Sequence, residues 1–121
     1  MEAILCLDVL EHVEEPQQAA REMHRVLKKG GYCLVKIPFI FYYHPEKGYY
    51  QDFYRFTRDG LAYLMRDFSS IEMVGERGAL ATAMNLIPVF TKRTRFFEWI
   101  DRLFGKDASE QTSGFLCFAV K

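Results

Sequence analysis

Asp8, Glu11 and His12 carry the groups that acid–base chemistry needs, and they stand at i, i+3 and i+4. That spacing brings side chains to one face of a helical turn. An imidazole titrates near neutrality and can take a proton from a nucleophile, while a neighbouring carboxylate orients it or steadies the charge it gains. The structural alternatives are a His12 hydrogen-bonded within the start of a helix and an Asp8 that is a solvated turn residue or cap. A second group lies in the aromatic stretch 39–56, where Tyr42, Tyr43, His44, Tyr49, Tyr50, Asp52, Tyr54 and Arg55 are interleaved. Aromatic rings at such density can bind a sugar face or an aromatic ligand, or simply pack the stretch onto the body of the protein. Arg55 either pairs with Asp52 to hold the segment or meets an anionic ligand.

The elements that must position these groups follow from hydropathy. Residues 3–7, Ala-Ile-Leu-Cys-Leu, form a continuous apolar run that stops at Asp8, the pattern of an interior strand of a parallel sheet. Glu14-Glu15-Pro16 then opens a helix, with Pro16 in the first turn and the acids at the positive end of the dipole. Ala19, Ala20, Met23, Val26 and Leu27 make its buried face, and Gly30-Gly31 ends it. The β-rich run from Tyr32 to Ile37 completes a strand–helix–strand unit, so the two strands should be parallel. Ligands of open α/β sheets bind outside the carboxyl ends of the strands, which places Asp8 and the 39–56 loop at one edge. Thr57 caps a helix over about 57–67, residues 70–75 alternate as a strand, and helices are expected over about 79–87 and 93–104. In the last of these, Phe96, Phe97, Ile100, Leu103 and Phe104 share a face, with Arg93, Glu98, Asp101 and Arg102 elsewhere. Residues 114–120 are a final apolar strand.

The 121 residues suit one domain, divided into the unit 1–38, the aromatic loop 39–56 and the remainder 57–121. A formal net charge of zero excludes a general nucleic-acid binder, which needs a basic stripe. No apolar run approaches the ~20 residues of a membrane span, and the first residues lack the basic region of a signal peptide. Cys6, Cys33 and Cys117 are far apart, each within an apolar run, and read as reduced core thiols of a cytoplasmic protein.

Three stretches carry a family resemblance. The run from Ile4 through Asp8-Val9-Leu10-Glu11-His12-Val13 to Pro16 resembles the fourth strand and following helix start of class I S-adenosylmethionine-dependent methyltransferases, in the ubiquinone-methyltransferase-like, type 11 group. Val26-Leu27-Lys28-Lys29-Gly30-Gly31-Tyr32 is similar to the turn before that family's fifth strand, with Lys29 in place of the usual proline. Asp52-Phe-Tyr-Arg-Phe-Thr57 resembles a stretch of a subgroup associated with sugar or polysaccharide gene neighbourhoods. The resemblance implies an α/β fold: a partial Rossmann-like sheet of strands 4, 5, 7 and 6, the last strand antiparallel, with flanking helices and a helical insertion before that strand. The family's glycine-rich turn and first three strands have no counterpart here, so the resemblance describes a C-terminal half, a truncated domain inactive as it stands.

The same resemblance implies S-adenosylmethionine as cofactor, bordered by Cys6, Leu7 and Asp8, with His12 and Asp8 catalytic. Tyr42, Tyr43, His44, Tyr50, Tyr54 and Arg55 would face an unidentified small-molecule, sugar or lipid acceptor. Some relatives hold magnesium at positions matching Asp8, Glu11 and His12; for this chain a metal-free site is the expectation. Segment 80–104, apolar with Arg93, Arg95 and Arg102 nearby, either covers the sheet or lies on a membrane surface. The bare edge of strand 3–7 invites a homodimer, the alternative being a non-catalytic dimerising module.

Overall fold

Strand β1 (Ala3–Leu7) passes through a 3-10 turn (Leu10–His12) into helix α1 (Pro16–Val26). Pro16 occupies the first helical position, where its missing N–H has no partner to lose. Beyond the helix, Gly30 adopts φ +77°, the left-handed conformation that reverses the chain. At Gly31 a Cβ would come within 2.9 Å and 3.0 Å of the Lys28 and Glu2 carbonyl oxygens. This glycine pair delivers strand β2 (Tyr32–Pro38) alongside β1, parallel, in a register from Ala3–Tyr32 to Leu7–Lys36.

The computed structural model describes residues 1–107 and 109–121. Helix α2 (Arg58–Leu64) is capped by Thr57, whose hydroxyl accepts from the Gly60 N–H at 3.0 Å. Strand β3 (Ser70–Gly75), helix α3 (Ala79–Asn85), a 3-10 segment (Pro88–Arg93) and helix α4 (Thr94–Leu103) lead to strand β4 (Gly114–Val120). The sheet order is β1-β2-β4-β3, with β4 antiparallel to both neighbours. This is the expected order of a partial methyltransferase-type sheet, with helices inserted before the last strand.

The core lies on one face of the sheet. Cys33, Val35, Ile37, Cys117 and Ala119 are fully buried there with Leu61 and Met65 of the α2 segment and Ala20 and Leu27 at α1. The three cysteines are free and buried, as expected of core thiols; burial pushes Cys6 up to about 11 and Cys33 up to about 12. The opposite face is also apolar but open: Leu5 is 69% exposed, and Leu116 and Phe118 are exposed as well. Strand β1 reads as an interior ribbon, yet among the described residues it has a sheet neighbour on one side only. Its outward face, with Leu5 and Leu7, is exposed as well.

The insertion departs from expectation at Asp101. In sequence this residue falls among the charged positions off the apolar face, but it is 1% exposed. Its carboxylate accepts from the Leu80 and Ala81 N–H groups at 3.0 and 2.8 Å, capping α3 from a different helix. A Cβ on Gly78 would collide with that carboxylate, 2.5 Å from its carbon. The apolar residues of α4 consequently split: Phe97 and Ile100 are half-buried, while Phe96, Trp99 and Leu103 stay exposed. Among the described residues no helix is long and apolar enough to cross a membrane.

Asp101→Ala leaves one buried and one half-buried amide without their partner. We expect a loss of about 2 kcal/mol, or about 10 °C in Tm, by thermal denaturation. An unchanged Tm would show that the two amides find other partners.

Candidate active site

Parallel pairing of β1 and β2 brings their carboxyl ends to one edge, where a cavity of about 550 Å³ opens under the 39–56 loop. Asp8 forms its floor with φ +52°, a left-handed conformation that aspartate tolerates better than most residues. This turn takes Asp8 off the face it would share with Glu11 and His12 on a continuous helix, since the 3-10 segment begins only at Leu10. Its amide donates to the Lys36 carbonyl at 3.0 Å, and its Oδ2 accepts from Lys36 Nζ at 2.6 Å. Lys36 also stands 3.6 Å from Glu76 on the far side of the cavity. Burial works against that ammonium, yet Asp8 and Glu76 together hold its pKa above the ordinary lysine value. Neither Lys36 nor Glu76 stands out as a site residue in sequence. The available signal was a lone charge inside the apolar run of β2.

Glu11 is the most unusual group in the site. Its backbone carbonyl accepts from the Phe53 and Tyr54 amides at 2.8 and 3.2 Å, stitching the loop to the strand end. Its side chain is fully buried, and neither carboxylate oxygen has a hydrogen-bond partner among the described residues. Burial pushes this carboxyl above the usual glutamate range; its own backbone N–H opposes the rise, as do His12 and His44, and Asp8 adds to it. His12 Nε2 lies 3.7 Å from Glu11 Oε1. On the other side of the ring, His12 Nδ1 is 2.6 Å from the Gln51 carbonyl, so Nδ1 donates there and Nε2 is the nitrogen turned toward Glu11.

The loop is held by Arg55. Its guanidinium donates to both Asp52 oxygens at 2.5 and 2.6 Å, to the Tyr42 and Tyr54 carbonyls at 2.8 and 2.7 Å, and to the Phe41 carbonyl at 3.3 Å. Its donors are thus directed at the loop itself. The Arg55 hydrogen bonds bring the Asp52 carboxyl down to about 2, helped by the His44 amide against burial. Tyr54 donates its hydroxyl to the Glu14 carbonyl at 2.8 Å, and Tyr43 points to a separate shallow groove along Phe53–Arg55. Of the residues singled out in sequence, Asp8, Glu11, His12, Tyr42, His44 and Tyr50 meet at the cavity. Tyr43, Tyr54 and Arg55 line the other groove, Leu7 is exposed at the strand tip, and Cys6 belongs to the core.

The architecture is that of an α/β protein, an open mixed sheet with a polar cavity at its carboxyl edge. Residues 1–35 match the family model of a methyltransferase domain. The fold is similar to that of a SAM-dependent methyltransferase from Archaeoglobus fulgidus, at 10% identity and TM-score 0.59 over all of this chain and 59% of that one. It is also similar to phosphoethanolamine N-methyltransferase 2 of Haemonchus contortus, at 11% identity and TM-score 0.55 over 99% of this chain and 33% of that one. A third likeness is to the 4+2 cyclase SpnF, at 18% identity and TM-score 0.54 over all of this chain and 50% of that one. No curated protein matches the sequence. The chain shares the fold of these solved structures and spans between a third and three-fifths of their length.

The Asp52–Arg55 clamp sets a pH dependence. A carboxyl held near 2 in the folded chain, against an ordinary 3.8, binds protons more weakly folded than unfolded. Its stabilisation is therefore complete above pH about 4 and lost as pH falls through about 2. Asp52→Asn should lower Tm at pH 6, with the gap to the parent closing as the two are scanned down to pH 2.

Proposed function

We propose that this chain forms one wall of a SAM-dependent methyl-transfer site, with the cavity at the ends of β1 and β2 receiving the acceptor. The observation that carries this reading is His12, its Nδ1 held by the Gln51 carbonyl and its Nε2 beside the buried Glu11, inside a segment that matches a methyltransferase domain. Three carboxylates (Asp8, Glu11, Glu76) face two cations (Lys36, Arg77) in the cavity, and Phe41, Tyr42 and Tyr50 add ring faces. Both features suit a cationic sulfonium donor. Leu7 and Asp8 at the tip of β1 would border that donor.

S-adenosylmethionine supplies an electrophilic methyl group when bound. The chain's own groups then orient the acceptor and remove its proton: His12 Nε2 accepts it, and Glu11 steadies the imidazolium. S-adenosylhomocysteine titrated into the chain should bind with micromolar affinity, and Asp8→Ala should weaken binding at least tenfold with the circular dichroism unchanged. No binding to the folded chain would overturn the reading for this chain.

A second reading is favoured by the outer edge of β1 and the open sheet face. Unpaired strand edges beside exposed leucines promote association. In that case sedimentation gives twice the chain mass with no cofactor heat, and Leu5→Lys restores the monomer.

The exposed stripe of Phe96, Trp99 and Leu103, near Arg93, Arg95 and Arg102, supports a membrane-borne acceptor. Trp99 is the single tryptophan. Its fluorescence should shift to the blue with vesicles containing phosphatidylserine and not with neutral ones; an unmoved spectrum rejects membrane contact by α4.

A further inference from the structure

The cavity holds more than a base. We propose that Glu11, His12 and His44 form a binding site for a divalent transition-metal ion of the zinc type. One ligand atom from each of these residues lies within 4.8 Å of the others. The third member comes from the loop after β2, 32 positions beyond His12, and its partnership with the strand end appears only in the folded chain.

Three observations support the assignment. First, Glu11 is fully buried with both oxygens unpaired among the described residues. An ionised carboxylate in that setting is strongly unfavourable unless a cation compensates it. Lys36 and Arg55 are engaged elsewhere, with Asp8 and Asp52. Second, both imidazoles are oriented from behind. His12 Nδ1 is directed at the Gln51 carbonyl. His44 Nδ1 faces two acceptors, the Tyr42 carbonyl at 3.1 Å and Asp52 Oδ2 at 3.3 Å, against one donor, Arg55 Nη2 at 3.3 Å. Nδ1 of each ring thus has an acceptor within reach, and the proposed ion would meet Nε2. A carbonyl or carboxylate behind the ring is the usual support for a metal-binding histidine. Third, the rings meet edge to face with centroids 5.0 Å apart, so both can turn a nitrogen toward one point.

Two imidazoles and one carboxylate suit zinc and related ions, which accept nitrogen readily; magnesium prefers an all-oxygen shell. Around a tetrahedral ion with bonds of ~2.1 Å the ligand atoms stand ~3.4 Å apart, so binding draws the three inward. Three protein ligands leave the fourth position open to the cavity, where water or an acceptor oxygen can bind. The ion and the proton-accepting role compete for the same His12 lone pair. The inference concerns the same cavity as the proposed function, yet it stands on side-chain geometry and needs no methyl transfer.

The test is titration of the chain with Zn²⁺, and with Co²⁺ as an absorbing probe, without cofactor or acceptor. One ion should bind per chain, Co²⁺ should give the intense visible bands of a four- or five-coordinate site, and Tm should rise by at least about 10 °C at a hundredfold excess over Kd. His44→Ala and Glu11→Gln should each weaken binding at least tenfold, while His24→Gln, on α1, leaves it unchanged. Binding that is indifferent to His44→Ala, or a preference for Mg²⁺ over Zn²⁺, would overturn the assignment. So would a parent chain whose Tm ignores Zn²⁺. Titration with S-adenosylhomocysteine is read separately, so a failed metal site and a failed methyl-transfer site give different results.

Discussion

Parallel pairing of β1 with β2 is the constraint on which the site depends. It brings the carboxyl ends of two strands to the same edge. Asp8 then meets Lys36, and the Glu11 carbonyl can accept from the Phe53 and Tyr54 amides of the loop that leaves β2. An antiparallel pair would send those ends to opposite edges and leave no cavity between them. Gly30 and Gly31 make the pairing possible, because the turn needs both a left-handed residue and one with no Cβ.

Around that edge the polar groups fall into two unequal sets. The clamp of Arg55 on Asp52 is saturated: two carboxylate oxygens, three backbone carbonyls and a guanidinium satisfy one another, which fixes the shape of the loop. Glu11 is the opposite case, buried and unsatisfied at the carboxylate while anchored through its backbone. A protein gains nothing in stability from such a group, which sets Glu11 apart from the satisfied polar groups around the cavity.

The likenesses to two methyltransferases and to a 4+2 cyclase carry a general point. One sheet supports different chemistries because the reacting groups sit on the strand ends and loops, while the layers beneath them serve packing. In this chain the helical insertion α3–α4 is tied together by the Asp101 cap and presents aromatic residues outward, apart from the core that α1 and α2 bury against the sheet.

Much of the fold was legible in the residues themselves. The strands over 3–7, 70–75 and 114–120 follow from local apolar patterns, and the helix starts at Pro16 and Thr57 from capping chemistry. The parallel sense of β1 and β2 follows from the helix between them. Those features are set by interactions within a few residues, or by a single crossover. The burial of Asp101, the reach of Lys36 to both Asp8 and Glu76, and the meeting of His44 with Glu11 and His12 were decided only by tertiary structure. Each joins groups from different elements, and their separation in space depends on how the sheet edge and loop close, which no local period encodes.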